Sequence, residues 1–285
     1  MGTLRKQMDE DMVIRGMAER TRQSYLGAVA ALAKHYRRSP DQISTAEVQR
    51  YLLYLIQERK LAWSSCNIAL QGLKFFYRVT LKRAQEDFDL PRPRMPQKLP
   101  QILAPEEVAR LIDGAGNLKH RAMLMTTYAA GLRLSELVHL KVSNVDSARM
   151  TIHVELGKGA KDRYTVLSPK LLAELRAYWK LCKPKRWLFP SPRDPDLPML
   201  PKTVQRIFHT AKRRAGITKT CGIHGLRHAF ATHLLESGVD VPSIQHLMGH
   251  RHISSTLRYF HLARKRLSQT PSPLDLLDPS MIRRG

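Results

Sequence analysis

The chain has 285 residues, and 43% of them are hydrophobic, which excludes global disorder and leaves room for one large domain or two smaller ones. Its 48 Lys and Arg residues outnumber 24 Asp and Glu residues and give a formal net charge of +24. The excess is spread along the chain, with 18 basic against 10 acidic residues in 1–100 and 30 against 14 in 101–285. It favours nucleic acid over a membrane surface as the partner.

Cysteine usage and the N-terminus indicate the compartment. Cys66, Cys182 and Cys221 lie far apart and form no CxxC pair, which is typical of a reducing environment. The N-terminal stretch MGTLRKQMDED has no apolar signal core, and no apolar run approaches the ~20 residues of a membrane helix. We therefore expect a cytoplasmic protein with no membrane partner.

Residues 1–88 predict an all-helical domain. A short helix near the N-terminus is followed by apolar residues at helical spacing over 18–37 and again over about 64–79. Between these two segments, Ser44 and Glu47 in the stretch STAE form a capping-box pattern, which indicates the start of a further helix.

Residues 89–102 predict a linker between two domains. The stretch DLPRPRMPQKLP (89–100) has four prolines, which block helix formation and favour an extended chain. Its basic residues would suit a strap lying along phosphates, although a plain linker explains the composition equally well. The candidate DNA contacts are Arg92, Arg94 and Lys98 here, Arg22 in the N-terminal domain and Lys161 further along the chain.

Residues 103–268 predict a second, mixed domain. The segment 149–168 alternates in strand fashion on both sides of GKGAKD, which is the pattern of a β-hairpin with a glycine-rich tip. We expect helices at about 104–112, 119–135, 169–181, 201–215, 225–236, 240–248 and 253–266. The predicted fold is therefore mainly α, with an all-helical N-terminal domain and an α+β domain that is mostly helical with a small antiparallel sheet. Residues 269–285 follow as a tail with a short apolar patch.

Four separated stretches carry polar side chains that core packing does not explain. In the first, AAGLRLSEL, Arg133 stands between two leucines inside the apolar end of a predicted helix, and Glu136 follows three residues later to brace it. A plain surface ion pair is the alternative. In the second, the hairpin tip, Lys158 lies between two glycines, and Lys161 is its rival for any role.

The third stretch, HGLRHAFATH, places His224, Arg227 and His228 on one face of a predicted helix. Two histidines four apart can bind zinc, but zinc proteases need HExxH and no Cys or carboxylate cluster accompanies the pair, so we expect no metal. In the fourth stretch, GHRHISSTLRYFH, Tyr259 follows His250 by nine residues. Packing alone would ordinarily explain such a tyrosine.

Together these groups suit the cleavage of a phosphodiester without a metal ion. Arginine forks match the non-bridging oxygens of a phosphate, where negative charge accumulates as the bond breaks. Tyrosine is an able nucleophile toward phosphorus, and a phosphotyrosyl link conserves the energy of the broken bond, so a strand can be rejoined without ATP. The sequence shows no carboxylate cluster for Mg²⁺ and no nucleotide-binding motif, so we expect no cofactor.

The boxes GLRLSEL, GKGAKDR, HGLRH and LMGH…TLRYFH, in this order and spacing, resemble those of the tyrosine recombinase (phage integrase) family over residues 18–266. The resemblance is to compact two-domain members, similar to Xer-like and transposon-encoded recombinases. It implies that Tyr259 attacks the scissile phosphate to form a 3′-phosphotyrosine. It also implies that Arg133 and Arg227 hold the non-bridging oxygens and that Lys158 protonates the leaving 5′-oxygen.

The resemblance implies supporting roles as well. His224 would take or hold the tyrosine proton, and His250 would hydrogen-bond the phosphate. Glu136 would steady the first arginine, and His228 would be structural. Residues 1–88 would be a core-binding domain and 103–268 the catalytic domain.

The resemblance also implies the partners. These are double-stranded DNA with specific recombination sites and a homo-oligomer, four protomers on two sites, to which accessory DNA-bending proteins could be added. The tail 269–285 would dock on a neighbouring protomer or pack on its own domain. Charge and tail favour the integration or excision of a mobile element. Xer-like dimer resolution, a non-enzymatic DNA-binding protein on the same scaffold and a type IB topoisomerase remain as alternatives.

Overall fold

The structure is a computed structural model and describes residues 2–83, 88–90, 101–155, 162–250 and 252–257. The chain divides into two compact units, Met1–Gln97 and Lys98–Gly285. Within the described ranges, no helix is long and apolar enough to cross a membrane. The predicted fold class is confirmed, because the regular structure described in the first unit is all helical, and the second is mostly helical with a three-stranded antiparallel sheet.

The described part of the N-terminal unit contains four α-helices around one apolar core. They are α1 (Gly2–Ile14), α2 (Glu19–Tyr36), α3 (Thr45–Gln57) and α4 (Trp63–Phe75). The capping box at the start of α3 is confirmed, because the backbone N–H of Ser44 donates to Glu47 at 2.9 Å and its hydroxyl accepts from the backbone N–H of Glu47 at 3.4 Å. Leu32, Leu52 and Leu73 are fully buried where these helices pack.

The predicted helix over 64–79 is not a single α-helix. α4 ends at Phe75 and continues as a five-residue π-helix, Phe76–Thr80. The fully buried Tyr77 lies in this wider turn, and its hydroxyl donates to the carbonyls of Pro40 and Ile43 at 2.8 and 3.0 Å. Apolar spacing does not separate the two helix types, since both bury one side of the chain.

The C-terminal unit contains eight α-helices and three strands among its described residues. In chain order they are α5 (Pro105–Asp113), α6 (Leu118–Ala129), α7 (Leu134–Val138), β1 (Val145–Asp146), β2 (Thr151–Val154), β3 (Arg163–Val166), α8 (Pro169–Cys182), α9 (Pro201–Arg214), α10 (His224–Glu236), α11 (Val241–Met248) and α12 (Ser254–Leu257). The strands lie in the order β1-β2-β3, and all pairs are antiparallel. The predicted hairpin is confirmed. The two-residue β1 was not predicted, because it is too short to show the alternation of apolar and polar residues that indicates a strand.

The helix predicted over 119–135 was wrong at its end. α6 stops at Ala129 because Gly131 has a φ of +60°, in the left-handed region that favours glycine. A Cβ at this glycine would lie 2.4 Å from Cδ1 of Phe230, so the turn is also closely packed. The prediction placed Arg133 inside the end of this helix. In the structure, Arg133 is instead the N-cap residue of a separate helix, α7.

Candidate active site

Glu136 lies at the centre of a cluster of three arginines. Its carboxylate accepts bonds from Nη1 of Arg133 at 2.7 Å and from Nη1 and Nη2 of Arg163 at 2.8 and 2.7 Å. It also accepts the backbone N–H of Arg133 at 2.8 Å, and Nη1 of Arg227 lies 3.8 Å away. The Glu136 side chain is only 4% exposed, so this carboxylate is an internal part of the site rather than a surface group.

Burial would raise the pKa of Glu136, but its partners reverse that effect. Hydrogen bonds and positive charge from Arg163, with hydrogen bonds from Arg133, lower the pKa to about 2. The carboxylate is therefore ionised throughout the physiological range. The prediction that Glu136 lies beside Arg133 thus describes half of the arrangement, since Arg163 contributes the bidentate bond.

The C-terminal end of α11 supplies three further acceptors. The carbonyls of 247–249 each accept a hydrogen bond from a different arginine: Leu247 from Arg163 at 2.9 Å, Met248 from Arg227 at 2.5 Å and Gly249 from Arg133 at 3.0 Å. The last carbonyls of a helix have no partner within the helix and carry its negative dipole end, so they suit guanidinium donors. The three arginines are in this way fixed to one helix terminus.

Gly249 makes this close approach possible. It caps α11 with a φ of +60°, and a Cβ there would lie 2.8 Å from Cδ of Arg163. Another residue would strain the turn and push against that side chain. The next residue, His250, is held by a bond between its Nδ1 and the hydroxyl of the buried Thr256 at 2.8 Å.

Arg227 connects this helix end to the turn before α7. It lies in the first turn of α10 and is 5% exposed, and Nη1 donates to the carbonyl of Gly131. His224 is the first residue of the same helix and is exposed. Loss of hydration to the surrounding protein lowers the pKa of His224, and the charges of Arg227 and Arg133 lower it further. The imidazole is therefore neutral at pH 7 and close to both guanidiniums.

The cluster has more positive than negative charge. Three guanidiniums share one carboxylate, and Arg133 is the most exposed of them at 21%. A cavity of about 610 Å³ opens beside Arg133 and Glu136 and is also lined by Arg186 and by the ion pair of Lys141 with Glu155. This arrangement suits an anion that reaches the exposed edge of the cluster, because unbalanced buried charge is costly without a counter-charge.

Comparison with known proteins identifies the fold and its lineage. The sequence model of the phage integrase family matches residues 101–266, and that of the phage integrase N-terminal SAM-like domain matches residues 4–87. The chain belongs to the phage integrase family. The resemblance of its four boxes to tyrosine recombinases is thereby confirmed.

Relatives of this phage integrase family member include recombinases of bacteria and archaea. The chain is 45% identical over 278 residues to an integrase/recombinase of Sinorhizobium fredii, covering 97% of this chain and 90% of the relative. It is 35% identical over 231 residues to the tyrosine recombinase XerA of Pyrococcus horikoshii, covering 80% of each. The lambda integrase dimer bound to a COC′ core site shares the fold, with a TM-score of 0.72, 19% identity and coverage of 90% of this chain and 96% of that one.

The structure brings together five of the eight residues that the boxes of this family member single out as catalytic or supporting. Arg133, Glu136, Arg227, His224 and His250 surround the end of α11. His228 lies in α10 and is half-buried. The predictions for Lys158, Lys161 and Tyr259, and for the linker cations Arg92, Arg94 and Lys98, lie outside the described residues.

Arg22 and the zinc alternative can both be compared with the structure. The guanidinium of Arg22 is 20% exposed and pairs with Asp9 at 2.7 Å, so its charge is used within the N-terminal unit. His224 and His228 of α10, the pair of the zinc alternative, meet no third ligand among the described residues. Indeed, no group of three His, Cys, Asp or Glu side chains that could hold a metal occurs in the described part of the chain.

Arg163 ends the box GKGAKDR, but no role was predicted for it. By hydrophobicity, the strand RYTV would turn Tyr164 and Val166 inward, but the structure buries Arg163 and Thr165 instead. A signal is present only in hindsight, because an arginine facing the core must have a carboxylate partner and Glu136 is the buried one.

Proposed function

We propose that this chain is a site-specific DNA recombinase that cuts and rejoins strands through a 3′-phosphotyrosine. The observation that carries this proposal is the guanidinium cluster at the end of α11, which has more positive than negative charge and an exposed edge next to His224 and His250. Membership of the tyrosine recombinase family supplies the reaction class.

In the proposed cleavage step, the phenolic oxygen of Tyr259 attacks the phosphorus, and the bond from phosphorus to the 5′-oxygen breaks. The phenolic proton passes to His224, whose lowered pKa keeps the imidazole neutral and able to accept it at pH 7. The leaving 5′-oxygen takes a proton from Lys158, with Lys161 as the rival donor. The reverse sequence, with a different 5′-hydroxyl, rejoins the strand.

Charge stabilisation in this step falls to the arginines. Arg133 and Arg227 would face the non-bridging oxygens while Glu136 keeps their guanidiniums in place, and His250 would donate to the same phosphate. Donors that are already fixed before reaction stabilise developing charge without the cost of reorganising. Bonds to the carbonyls of Gly249 and Met248 provide this fixation here.

The partners are double-stranded DNA with specific sites and further copies of this chain. The net charge of +24 supports a long contact with phosphates, to which Arg92, Arg94, Lys98 and Lys161 would contribute. The internal pair with Asp9 makes Arg22 a weaker candidate. We propose a tetramer on two sites, with the tail 269–285 docking between protomers, in a cytoplasmic, nucleoid-associated setting.

Movement of a mobile element is the biological role that we propose. The word integrase in the name of the relative of 45% identity fits this role, and the XerA relative of 35% identity keeps dimer resolution as the alternative. A test is recombination between two plasmid-borne copies of the DNA site recovered with the protein. Excision of a segment flanked by element ends supports a mobile element, whereas resolution of plasmid dimers at a single host site supports the alternative.

A duplex with a nick close to the cleavage site tests the chemistry. Cleavage releases a short strand that carries the 5′-hydroxyl, and its loss prevents rejoining and traps the covalent intermediate. Tyr259→Phe removes one hydroxyl and should keep DNA binding while abolishing the covalent adduct, with EDTA making no difference to the wild-type protein. Tyr164→Phe is the matched control, since Tyr164 is an exposed tyrosine of β3, and it should cleave normally. An adduct that persists in Tyr259→Phe, or no adduct from the wild-type protein, would refute the proposal.

A further inference from the structure

Arg163 is a buried arginine of β3 that the proposed chemistry does not yet use. It is the first residue of the strand, opposite Val154 of β2, and its side chain is 5% exposed. It makes three hydrogen bonds, two to Glu136 and one to the carbonyl of Leu247. A guanidinium in this position connects the sheet to α7 and α11 at once.

The bonds of Arg163 fix the two groups that hold Arg133. The first is the carboxylate of Glu136, which takes Nη1 of Arg133 on the same oxygen that accepts Nη1 of Arg163. The second is the end of α11, where Nε of Arg163 binds the carbonyl of Leu247 two residues before the acceptor of Arg133 at Gly249. Without Arg163, the Glu136 carboxylate and the end of α11 would each lose a contact that fixes them, and the guanidinium of Arg133 would be held less firmly.

Arg227 depends on the same helix end. Its Nη2 donates to Met248, between the carbonyls that Arg163 and Arg133 bind. Cδ of Arg163 also lies against Gly249, where a Cβ would come within 2.8 Å. The side chain of Arg163 therefore sets the position of the helix terminus through both packing and hydrogen bonding.

We propose that Arg163 is a positioning residue for DNA cleavage, which holds Glu136 and the end of α11 so that Arg133 and Arg227 meet the scissile phosphate. The inference rests on the proposed function. Arg163 itself does not touch the phosphate, because its guanidinium is buried behind Glu136. Its effect on the rate comes through the placement of other charges.

The main experiment measures covalent-adduct formation on the nicked substrate by Arg163→Met and Arg163→Lys. Arg163→Met should cleave about 10- to 100-fold more slowly, the range for loss of a group that orients a reacting one. Arg163→Lys keeps the charge but not the bidentate fork, so it should recover part of the rate. Arg149→Met is the matched control at an arginine that is 81% exposed, and it should cleave like the wild-type protein.

A substrate with a methylphosphonate at the scissile position distinguishes misplaced arginines from a general loss of folded, active protein. The methyl group removes the negative charge that the arginines neutralise, so misplaced guanidiniums should matter less there. We expect the defect of Arg163→Met to shrink on this substrate to within about threefold of the wild-type rate. An equal defect on both substrates would show that Arg163 serves the fold alone and would overturn the inference.

A double-mutant cycle gives a second measurement that needs only the phosphodiester substrate. If Arg163 acts by placing Arg133 and Arg227, adding Arg163→Met to Arg133→Lys should slow cleavage by a smaller factor than Arg163→Met slows the wild-type protein. Defects that multiply would contradict positioning of Arg133. Circular dichroism confirms that each variant is folded at the assay temperature. A wild-type protein that forms no adduct refutes the proposed function, whereas a cleaving wild type with an unaffected Arg163→Met refutes only this inference.

Discussion

At the residue scale, Glu136 is the charge on which the arrangement of the site depends. It is a buried carboxylate that is stable as an anion only because Arg133 and Arg163 bind it. Removing one member of a buried ion pair costs about 3–5 kcal/mol, since the partner charge is left uncompensated. Replacing Glu136 would leave the charges of three guanidiniums uncompensated. Its replacement should therefore cost more stability than replacement of an exposed acidic residue.

The pH dependence of stability provides a test of Glu136. Its pKa is lowered from 4.5 to about 2 in the folded chain, so the unfolded state binds more protons between these values. The resulting stabilisation is complete above pH ~4.5, amounts to on the order of 3 kcal/mol, and is lost as the pH falls toward 2. Urea unfolding between pH 7 and 3 measures the part of this stabilisation that is lost above pH 3.

Glu136→Gln is the comparison that isolates this group. The variant should be less stable than the wild-type protein at pH 7, and the gap in the free energy of unfolding should narrow as the pH falls. Acid effects shared by both proteins, including repulsion within the strongly basic chain, cancel in the difference. Two curves that stay parallel down to pH 3 would contradict the buried, ionised state of Glu136.

At the element scale, the turn that ends α11 determines where the arginines bind. Gly249 takes up a left-handed conformation there and turns its carbonyl toward Arg133. Gly216, after α9, has a similar φ of +66°, but nothing lies within 4 Å of the Cβ that an alanine would add. The two glycines share a positive φ and differ in what surrounds them.

Gly249→Ala and Gly216→Ala should therefore separate stability from activity. Each should cost about 1–2 kcal/mol for a left-handed alanine. Only Gly249→Ala should slow adduct formation, by about tenfold or more, because the new methyl group displaces Arg163. Thermal unfolding and cleavage of the nicked substrate give the two readouts. Equal cleavage by the two variants would show that the end of α11 does not place the arginines.

Most elements could be predicted from the sequence, and the exceptions have physical causes. Long amphipathic helices and the hairpin leave a clear period, and the capping box at Ser44 fixes a helix start. The predicted end of α6 was wrong because Leu132 and Leu134 continue an apolar pattern past the turn that Gly131 imposes. The periodic spacing of apolar residues indicates which side chains are buried, but it does not indicate where the backbone takes a positive φ.

The candidate site was predictable where its residues form local boxes and not where they meet through the fold. Arg133 and Glu136 are three residues apart, and His224 and Arg227 likewise, so spacing alone pairs them. Arg163 lies 27 residues from its carboxylate, and no local pattern announces that pairing. Backbone carbonyl acceptors are equally hidden, since every residue has one.

At the scale of the whole molecule, the charge of +24 predicts how DNA affinity responds to salt. A protein that contacts six to ten phosphates loses about 10³–10⁵ in affinity between 50 and 200 mM salt. Removing three cations with Arg92→Ala, Arg94→Ala and Lys98→Ala should reduce the slope of log affinity against log salt by about one unit per cation. Filter binding or fluorescence anisotropy measures the slope.

Arg22→Ala is the control for that measurement. Its guanidinium pairs with Asp9 and is mostly buried, so the variant should lose some stability while the salt slope stays unchanged. A triple linker variant with the wild-type slope would contradict the contact between linker and phosphates. A slope that falls with Arg22→Ala would instead return that residue to the DNA interface.

The run of main-chain oxygens at 247–249 has a consequence for how this enzyme can change over time. Because the arginines bind peptide groups there, exchanging the side chains of Leu247 or Met248 leaves their acceptors in place. Inserting or deleting a single residue within α11 would rotate the register by about 100° and shift it by about 1.5 Å. Each guanidinium would then meet the wrong carbonyl, so the length of α11 should tolerate change less well than the partly buried side chain of Leu247.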